Sequence, residues 1–150
     1  MTISADVFNH FLGGVGLELI RVVRVDHHAD LEFGHDALQH MNLNYKPSFN
    51  NTEDGFTAEA SYTVKLIGAR RKVLGRTTVV FRAYFNSPEP MTDGIFEIFG
   101  NGPLKLQTWP YLRELFQNLT WRSNWPPGAL PIMKVGLPES PETKSEAEEG

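Results

Sequence analysis

Trp-Pro-Tyr-Leu-Arg-Glu, at residues 109–114, is the stretch of the chain that carries the most structural information. Pro110 suits the first turn of a helix, because the N–H that proline lacks has no partner there. Thr108 is a candidate N-terminal cap, and Pro126 lies beyond the last turn. Apolar side chains then recur at helical spacing along one stripe, at Leu112, Leu115, Phe116 and Leu119. The stretch predicts an amphipathic helix that begins near residue 110.

This helix resembles a motif of the SecB protein-export chaperones and their SecB-like relatives. Their long helix opens with Pro-Tyr-x-Arg-Glu, carries an arginine twelve residues after the proline, and ends in an aromatic-Pro step. The corresponding positions here are Pro110, Tyr111, Arg113, Glu114, Arg122, Trp125 and Pro126. Tyr-Lys-Pro at residues 45–47 and Gly-Ile-Phe-Glu-Ile at residues 94–98 also resemble family segments.

Ahead of the helix, the chain has the alternation of apolar and polar side chains that is typical of strands. Residues 17–33 predict one bent strand, or two strands broken near His27. Residues 42–49, 56–66 and 73–85 predict three more, and residues 94–99 a short strand. Pro47 cannot donate a ladder hydrogen bond, so its strand is expected at a sheet edge or at a bulge. Strands first and a helix last predict an α+β fold, with an antiparallel sheet covered on one face.

The resemblance implies the same order: a four-stranded antiparallel sheet followed by one long C-terminal helix. The second helix of the family is expected to be short or absent, because Gly136, Pro138 and Pro141 interrupt that segment. We therefore divide the chain into an N-terminal extension with a Gly-rich hinge (1–16), a SecB-like domain (17–136) and a disordered acidic tail (137–150).

Composition and charge exclude several classes of function. The chain has no cysteine, so it has neither disulfides nor thiolate chemistry. It has no run of eighteen apolar residues and no recognisable secretory leader, which predicts a cytoplasmic protein. The net charge of −4 belongs to residues 137–150, and the remaining 136 residues carry thirteen basic and thirteen acidic side chains. A neutral body argues against nucleic-acid binding. The tail is either a solubilising terminus or an acidic docking peptide.

The aromatic content suggests what the domain binds. Ten Phe, four Tyr and three Trp are more than one thin core needs, and several lie on strands with two partly apolar faces. Such surface must pack against another subunit or hold an unfolded client polypeptide. We predict a chaperone that binds unfolded or nascent chains through apolar grooves, in a homo-oligomer that is a dimer or a tetramer. The candidate groove residues are Tyr45, Phe49, Phe56, Tyr84 and Trp125.

The resemblance also implies a possible partner, the translocation motor SecA, which docks on the acidic outer surface of the family's sheet. Asp26 and Asp30 occupy comparable positions near the end of the first strand, although they could be ordinary strand-end residues. A further family glutamate would fall near Ala83, where the charge is missing. Some SecB-like proteins instead guard an antitoxin, and the helix motif does not separate that role from export.

No feature of the sequence predicts catalysis, a cofactor or a metal site. His27 and His28 are adjacent and would point to opposite faces of a strand, and the spacing to His35 and His40 fits no recognised ligand pattern. The alternative from another class is a small-ligand carrier or an enzyme on a curved α+β sheet. That alternative predicts an enclosed cavity lined by convergent polar groups.

Overall fold

The computed structural model describes residues 3–29 and 40–123 of the chain. The predicted acidic tail, Asp30, Trp125 and Pro126 lie outside these residues, and so does the segment of the second family helix. The helices and strands are α1 (Ala5–Gly13), β1 (Gly16–Ala29), β2 (His40–Asn51), β3 (Gly55–Ile67), β4 (Val73–Asn86), α2 (Asp93–Asn101) and α3 (Pro103–Arg122).

The four strands form one antiparallel sheet in the order β1-β4-β3-β2. The predicted fold class, a four-stranded antiparallel sheet followed by one long helix, is therefore confirmed. β2, which contains Pro47, lies at an edge as the proline requires. β1 forms the other edge, and β3 and β4 lie in the middle of the sheet.

The two faces of the sheet differ because successive side chains of a strand point in opposite directions. One face, which we call the helix side, carries the buried residues Phe56, Ala58, Ala60, Tyr62, Val64 and Leu66 of β3. Thr77, Val79, Phe81, Ala83 and Phe85 of β4 continue it. The other face, which we call the open face, carries the half-buried and exposed polar side chains between them.

Helices α2 and α3 cover the helix side, where α3 packs on β3 and β4 and α2 packs on β2. Phe99 of α2 meets the rings of Phe56 and Phe85 edge-on, at centroid distances of 5.4 and 5.3 Å. On α3, Leu112 and Phe116 are fully buried. Burial of large apolar side chains contributes about 1.5–3 kcal/mol each, so this aromatic layer between sheet and helices is the main source of stability.

The prediction of a short strand at residues 94–99 is wrong, because this segment lies in helix α2. The Thr92 hydroxyl caps the helix by accepting a hydrogen bond from the Ile95 N–H at 3.3 Å. The apolar residues Ile95, Phe96 and Phe99 have the spacing of a helix face and are buried. A short apolar run fits a strand and a helix equally well, and here the capping threonine favours the helix.

Helix α3 begins at Pro103, seven residues before the predicted start, so Pro110 lies inside the helix. Thr108 is not a cap. Its hydroxyl donates to the carbonyl of Leu104 at 2.9 Å and lies 2.7 Å from the Tyr62 hydroxyl. The proline has no N–H for the carbonyl one turn earlier, and α3 tolerates this missing hydrogen bond.

The segment assigned to an N-terminal extension is structured. Residues 5–13 form helix α1, whose start is capped by the Ser4 hydroxyl. Phe11 is buried and its ring lies 6.1 Å from that of Phe56. At the far end of the sheet, a β-carbon at Gly55 would lie 2.1 Å from the Phe85 carbonyl oxygen, so only glycine fits this close strand pairing.

Candidate binding surface on the edge strand

The largest concentration of exposed apolar side chains lies on β1. Of the exposed large hydrophobic residues in the described part of the chain, five belong to this strand: Leu17, Leu19, Val22, Val23 and Val25. β1 is also an edge strand, so one side of its backbone has no partner strand among residues 3–29 and 40–123. An edge with apolar side chains and free hydrogen-bonding groups is a template for another polypeptide segment.

Two irregularities in the pairing of β1 with β4 decide which side chains face the helices. The register shifts between Leu17 and Leu19, and again between Val22 and Arg24. Each extra residue is a bulge that restores the apolar side chains to the same face. As a result, four residues of β1 pair with helix-side residues of β4: Leu17, Ile20, Val22 and Val25.

Helix α3 packs on β3 and β4, so most of β1 remains exposed. Leu17, Val22 and Val25 are exposed, whereas Ile20 is half-buried against the core. Val22 is 50% exposed and Val25 is 43% exposed. Tyr111 of α3, whose ring lies 6.4 Å from that of Phe81, flanks the same region. Phe81 is the cross-strand partner of Val22. We call this surface, formed by Leu17, Ile20, Val22, Val25 and Tyr111, the β1 strip.

The predicted groove residues Tyr45 and Phe49 lie on β2, on the helix side but at the opposite edge. Both are half-buried against the helices. The Tyr45 hydroxyl donates to the Gly100 carbonyl, and its ring contacts Tyr62 at 4.9 Å. Burial raises the pKa of the Tyr45 hydroxyl, and the neighbouring Tyr62 adds to the shift. The Phe49 ring packs 4.7 Å from that of Phe96.

The remaining predicted groove residues do not join this surface. Phe56 has no exposed area and stacks on Phe85 at 4.8 Å, so it offers a client no contact surface. Tyr84 lies on the open face, where the Arg21 guanidinium sits 5.8 Å from its ring centre. Trp125 lies outside the described residues. The described candidates are therefore spread over two faces and the core, and do not form one groove.

Within the described strands, the open face does not carry the acidic surface that the resemblance implies. Asp26 is on this face, but its carboxylate accepts hydrogen bonds from Arg24 at 2.6 Å. Glu59 is likewise paired, with Arg82 at 3.2 Å. Six basic side chains of the described strands lie on this face: Arg21, Arg24, Lys46, Lys65, Arg76 and Arg82. The acidic side chains of the described strands on this face are Asp26, Glu59 and Glu18, which contacts Asn86, so the face has an excess of positive charge.

His27 ties the end of α3 to the edge strand. Its Nδ1 lies 2.7 Å from the Thr77 hydroxyl, and its Nε2 lies 2.6 Å from the hydroxyl of Ser123, which follows the helix. Burial lowers the pKa of His27, and the neighbouring His28 lowers it further. Among residues 3–29 and 40–123, no group of three His, Asp or Glu side chains could hold a metal ion.

The helix motif contributes both surface and buried contacts. Tyr111 is 51% exposed and belongs to the β1 strip, and Arg113 is half-buried. Glu114 and Arg122 are exposed, and the Glu114 carbonyl accepts from the Asn118 side chain at 3.1 Å. Pro110 is exposed within the helix. The sequence identifies Tyr111 as part of the helix motif. It does not identify Val22 and Val25 as site residues, because they share a face only through the two bulges of β1.

Two of the concavities in the described part of the chain are shallow and partly open to solvent. One lies on the open face between β2, β3 and β4 and has a polar lining, and the other lies between α1 and residues 88–89. Neither has the form of the enclosed cavity that the small-ligand alternative predicts. No helix within residues 3–29 and 40–123 is long and apolar enough to cross a membrane.

The sheet order and the long final helix define the SecB-like fold. Among solved structures, the chain is similar to the Mycobacterium tuberculosis SecB-like chaperone Rv1957, solved in complex with a ChAD peptide from the Rv1956 HigA1 antitoxin. The TM-score is 0.73 at 18% sequence identity, and the match covers 88% of this chain and 99% of the other. The resemblance seen in the sequence is thus confirmed at the level of fold. No protein-family model and no curated protein sequence matches the chain.

Proposed function

We propose that this protein is a cytoplasmic chaperone that holds unfolded polypeptide segments on the β1 strip. The observation that carries the proposal is an edge strand of fourteen residues whose apolar side chains are left exposed beside α3. An extended client can place its apolar side chains along the strip. This mode of binding depends little on client sequence, because burial of apolar surface is not directional.

We also propose that the protein is a homo-oligomer. Two copies of β1 can pair antiparallel about a two-fold axis, since an isologous interface brings the same surface of each subunit together. Their helix-side strips would then join into a longer apolar surface. The exposed Trp121, near the end of α3, offers further contact area for a tetramer.

An antitoxin is favoured as the client over preproteins for export. Two observations support this choice: the solved structure of similar fold holds an antitoxin peptide, and the open face here has an excess of basic side chains. A basic face does not suit a motor that docks on acidic surface. Export through SecA, with Asp26 and Asp30 as contacts, is the second candidate, supported by the fold and by the helix motif.

The test is suppression of aggregation by the purified protein. A reduced, unfolded polypeptide is diluted into buffer with increasing amounts of the chaperone, and light scattering is recorded. We expect suppression near stoichiometric ratio for the wild type. Lack of suppression would contradict the proposal and would favour the alternative of a small-ligand carrier or enzyme.

Two variants test whether the client binds on the β1 strip. Val22→Thr combined with Val25→Thr keeps β-branched side chains but replaces a methyl group by a hydroxyl at two exposed strip positions. At about 0.8 kcal/mol per group, binding should weaken about tenfold. Leu19→Thr is the matched control, because Leu19 is comparably exposed on the same strand but faces the open side. An equal loss in the control would exclude the strip as the binding surface.

Oligomeric state is tested separately by light scattering coupled to size exclusion. We expect a dimer or a larger assembly at micromolar concentration. A strict monomer would contradict pairing through β1. Binding of a client to the strip is tested by the aggregation assay and does not depend on this result.

A further inference from the structure

A second surface, at one end of the open face, has a charge arrangement that client binding on the β1 strip does not involve. Lys65 of β3 and Arg76 of β4 are direct cross-strand partners, and His28 of β1 follows Arg76 in the same row. Like charges placed directly opposite each other destabilise a sheet. No carboxylate in the described parts of the chain pairs with Lys65 or Arg76. Such an arrangement favours binding of an anionic ligand.

The neighbouring side chains can donate hydrogen bonds to an anion. Thr63 and Thr78 form the next row of the open face, and Asn42 and Asn44 extend the two rows onto β2. Together with Lys65 and Arg76, these residues line a shallow concavity. Arg70 and Arg71, in the turn that joins β3 to β4, add positive charge at the same end of the sheet. We call this surface the basic end.

Two carboxylates of the open face lie next to or near the basic end: Asp26, the cross-strand partner of Thr78, and Glu59. Asp26 is held by Arg24 and Glu59 by Arg82, so both of these charges already have partners. Residues 137–150, in contrast, contain five glutamates and one lysine. The net charge of this segment, −4, is the largest outside the described residues, since residues 30–39 carry three acidic side chains and residues 124–136 carry one lysine.

The described chain ends close to the basic end. Ser123, its last residue, contacts His27 of the edge strand at 2.6 Å. His28, the next residue of that strand, is the cross-strand partner of Arg76 on the open face. Residues 124–136 can span up to about 40 Å at about 3.3 Å per residue, whereas a four-stranded sheet is about 15 Å across. The following acidic residues can therefore reach the basic end.

We propose that residues 137–150 dock, within the same chain, on the basic end of the open face. The carboxylates of the segment contact Lys65 and Arg76, with the surrounding hydroxyl and amide groups as additional donors. The docked segment covers a surface that would otherwise attract other polyanions, and an acidic partner protein must displace it. This proposal is independent of the client-binding function and concerns the opposite face of the sheet.

Zero-length cross-linking of the full-length protein tests the docking. A carbodiimide joins lysine amines to carboxylates in direct contact, and mass spectrometry locates the products. We expect the tail glutamates to couple to Lys65 several times more often than to Lys105, which lies on α3 at the helix side. In 1 M salt, where screening acts over about 3 Å, the preference should disappear. Equal coupling at both lysines, or none at Lys65, would overturn the proposal.

Matched variants separate this contact from a general effect of charge. Arg76→Gln keeps Lys65 as the reporter and should lower its coupling to the tail several-fold. Arg21→Gln removes the same charge from the other end of the open face and should leave the coupling unchanged. Equal losses in both variants would contradict a defined site. A mixture of isotope-labelled and unlabelled protein gives the last check, since cross-links between labelled and unlabelled chains would exclude docking within one chain.

Discussion

The two faces of the sheet are built by the same strands but hold different kinds of side chain. On the helix side, Phe56, Phe81 and Phe85 are sealed under α2 and α3, and stability depends on their packing. On the open face, the same strands present threonine, lysine, arginine and tyrosine. The helices cover β2, β3 and β4, so apolar surface is exposed at the other edge strand, β1. A face that is only partly covered is what a protein that binds extended chains requires.

The largest expected effect comes from truncating one aromatic residue on each face and comparing the loss of stability. Phe56→Ala opens a cavity among Phe11, Phe85 and Phe99, and we expect it to lower the free energy of unfolding by about 3–5 kcal/mol. Tyr84→Ala on the open face should cost about 1 kcal/mol or less, because its ring contacts only partly exposed neighbours. Urea denaturation of both variants measures the difference. Similar losses of unfolding free energy in the two variants would mean that the Tyr84 side chain on the open face is packed as tightly as Phe56.

Alkaline pH tests the buried polar contact at the centre of the helix side. Burial raises the pKa of Tyr62 to about 12 from its ordinary value near 10, and the hydrogen bond to Thr108 offsets part of the shift. The unfolded chain therefore loses this proton first. The corresponding stability, on the order of 2–3 kcal/mol, is fully present below pH 10 and is lost as the pH rises to 12.

Tyr62→Phe should remove a large part of this alkaline loss when urea melts are compared at pH 9 and pH 11. Tyr45 adds to the slope in the same direction, because its pKa is also raised by burial. Tyr111→Phe, a change at an exposed position of α3, is the control and should keep the wild-type slope. An unchanged slope in the Tyr62 variant would contradict the buried position of its hydroxyl.

Mild acid gives the smallest effect and tests the link between α3 and β1. The pKa of His27 is lowered by burial and by His28, so the folded state favours the neutral imidazole. Stability from this source is present above pH 6.5 and decreases as the pH falls below that value. His27→Gln should flatten the dependence of stability on pH between 7 and 5. His40→Gln, at an exposed position that begins β2, should not.

The strands could be predicted because their signal is local. Alternation along residues 56–66 and 73–85 assigns each side chain to a face without knowledge of its neighbours, and the structure confirms both strands. The start of α3 was placed too late because Pro110 is compatible with a first turn, whereas Gly102 and Pro103 provide the actual start. Helix α2 does not follow from its sequence, because the six residues 94–99 have an apolar pattern that fits either type of element.

The candidate site could not be predicted in the same way, because it depends on contacts between distant residues. The bulges that bring Leu17, Ile20, Val22 and Val25 to one face follow from the register of β1 against β4. Whether an aromatic residue is buried or exposed depends on where the helices end, so Phe56 and Tyr84 looked alike in the sequence. The net charge of residues 1–136 is zero, and such a sum does not show which face of the sheet each charged side chain occupies. The basic face therefore cannot be read from composition.

Photo-cross-linking from β1 tests the central claim most directly. A photoreactive phenylalanine derivative is placed at position 22 or at position 19, and the protein is irradiated with a reduced, unfolded polypeptide. The two positions are close on the same strand but face opposite sides of the sheet. We predict a strong adduct with the polypeptide from position 22 and little from position 19. Equal adducts from both positions, or a stronger one from position 19, would contradict binding on the helix side.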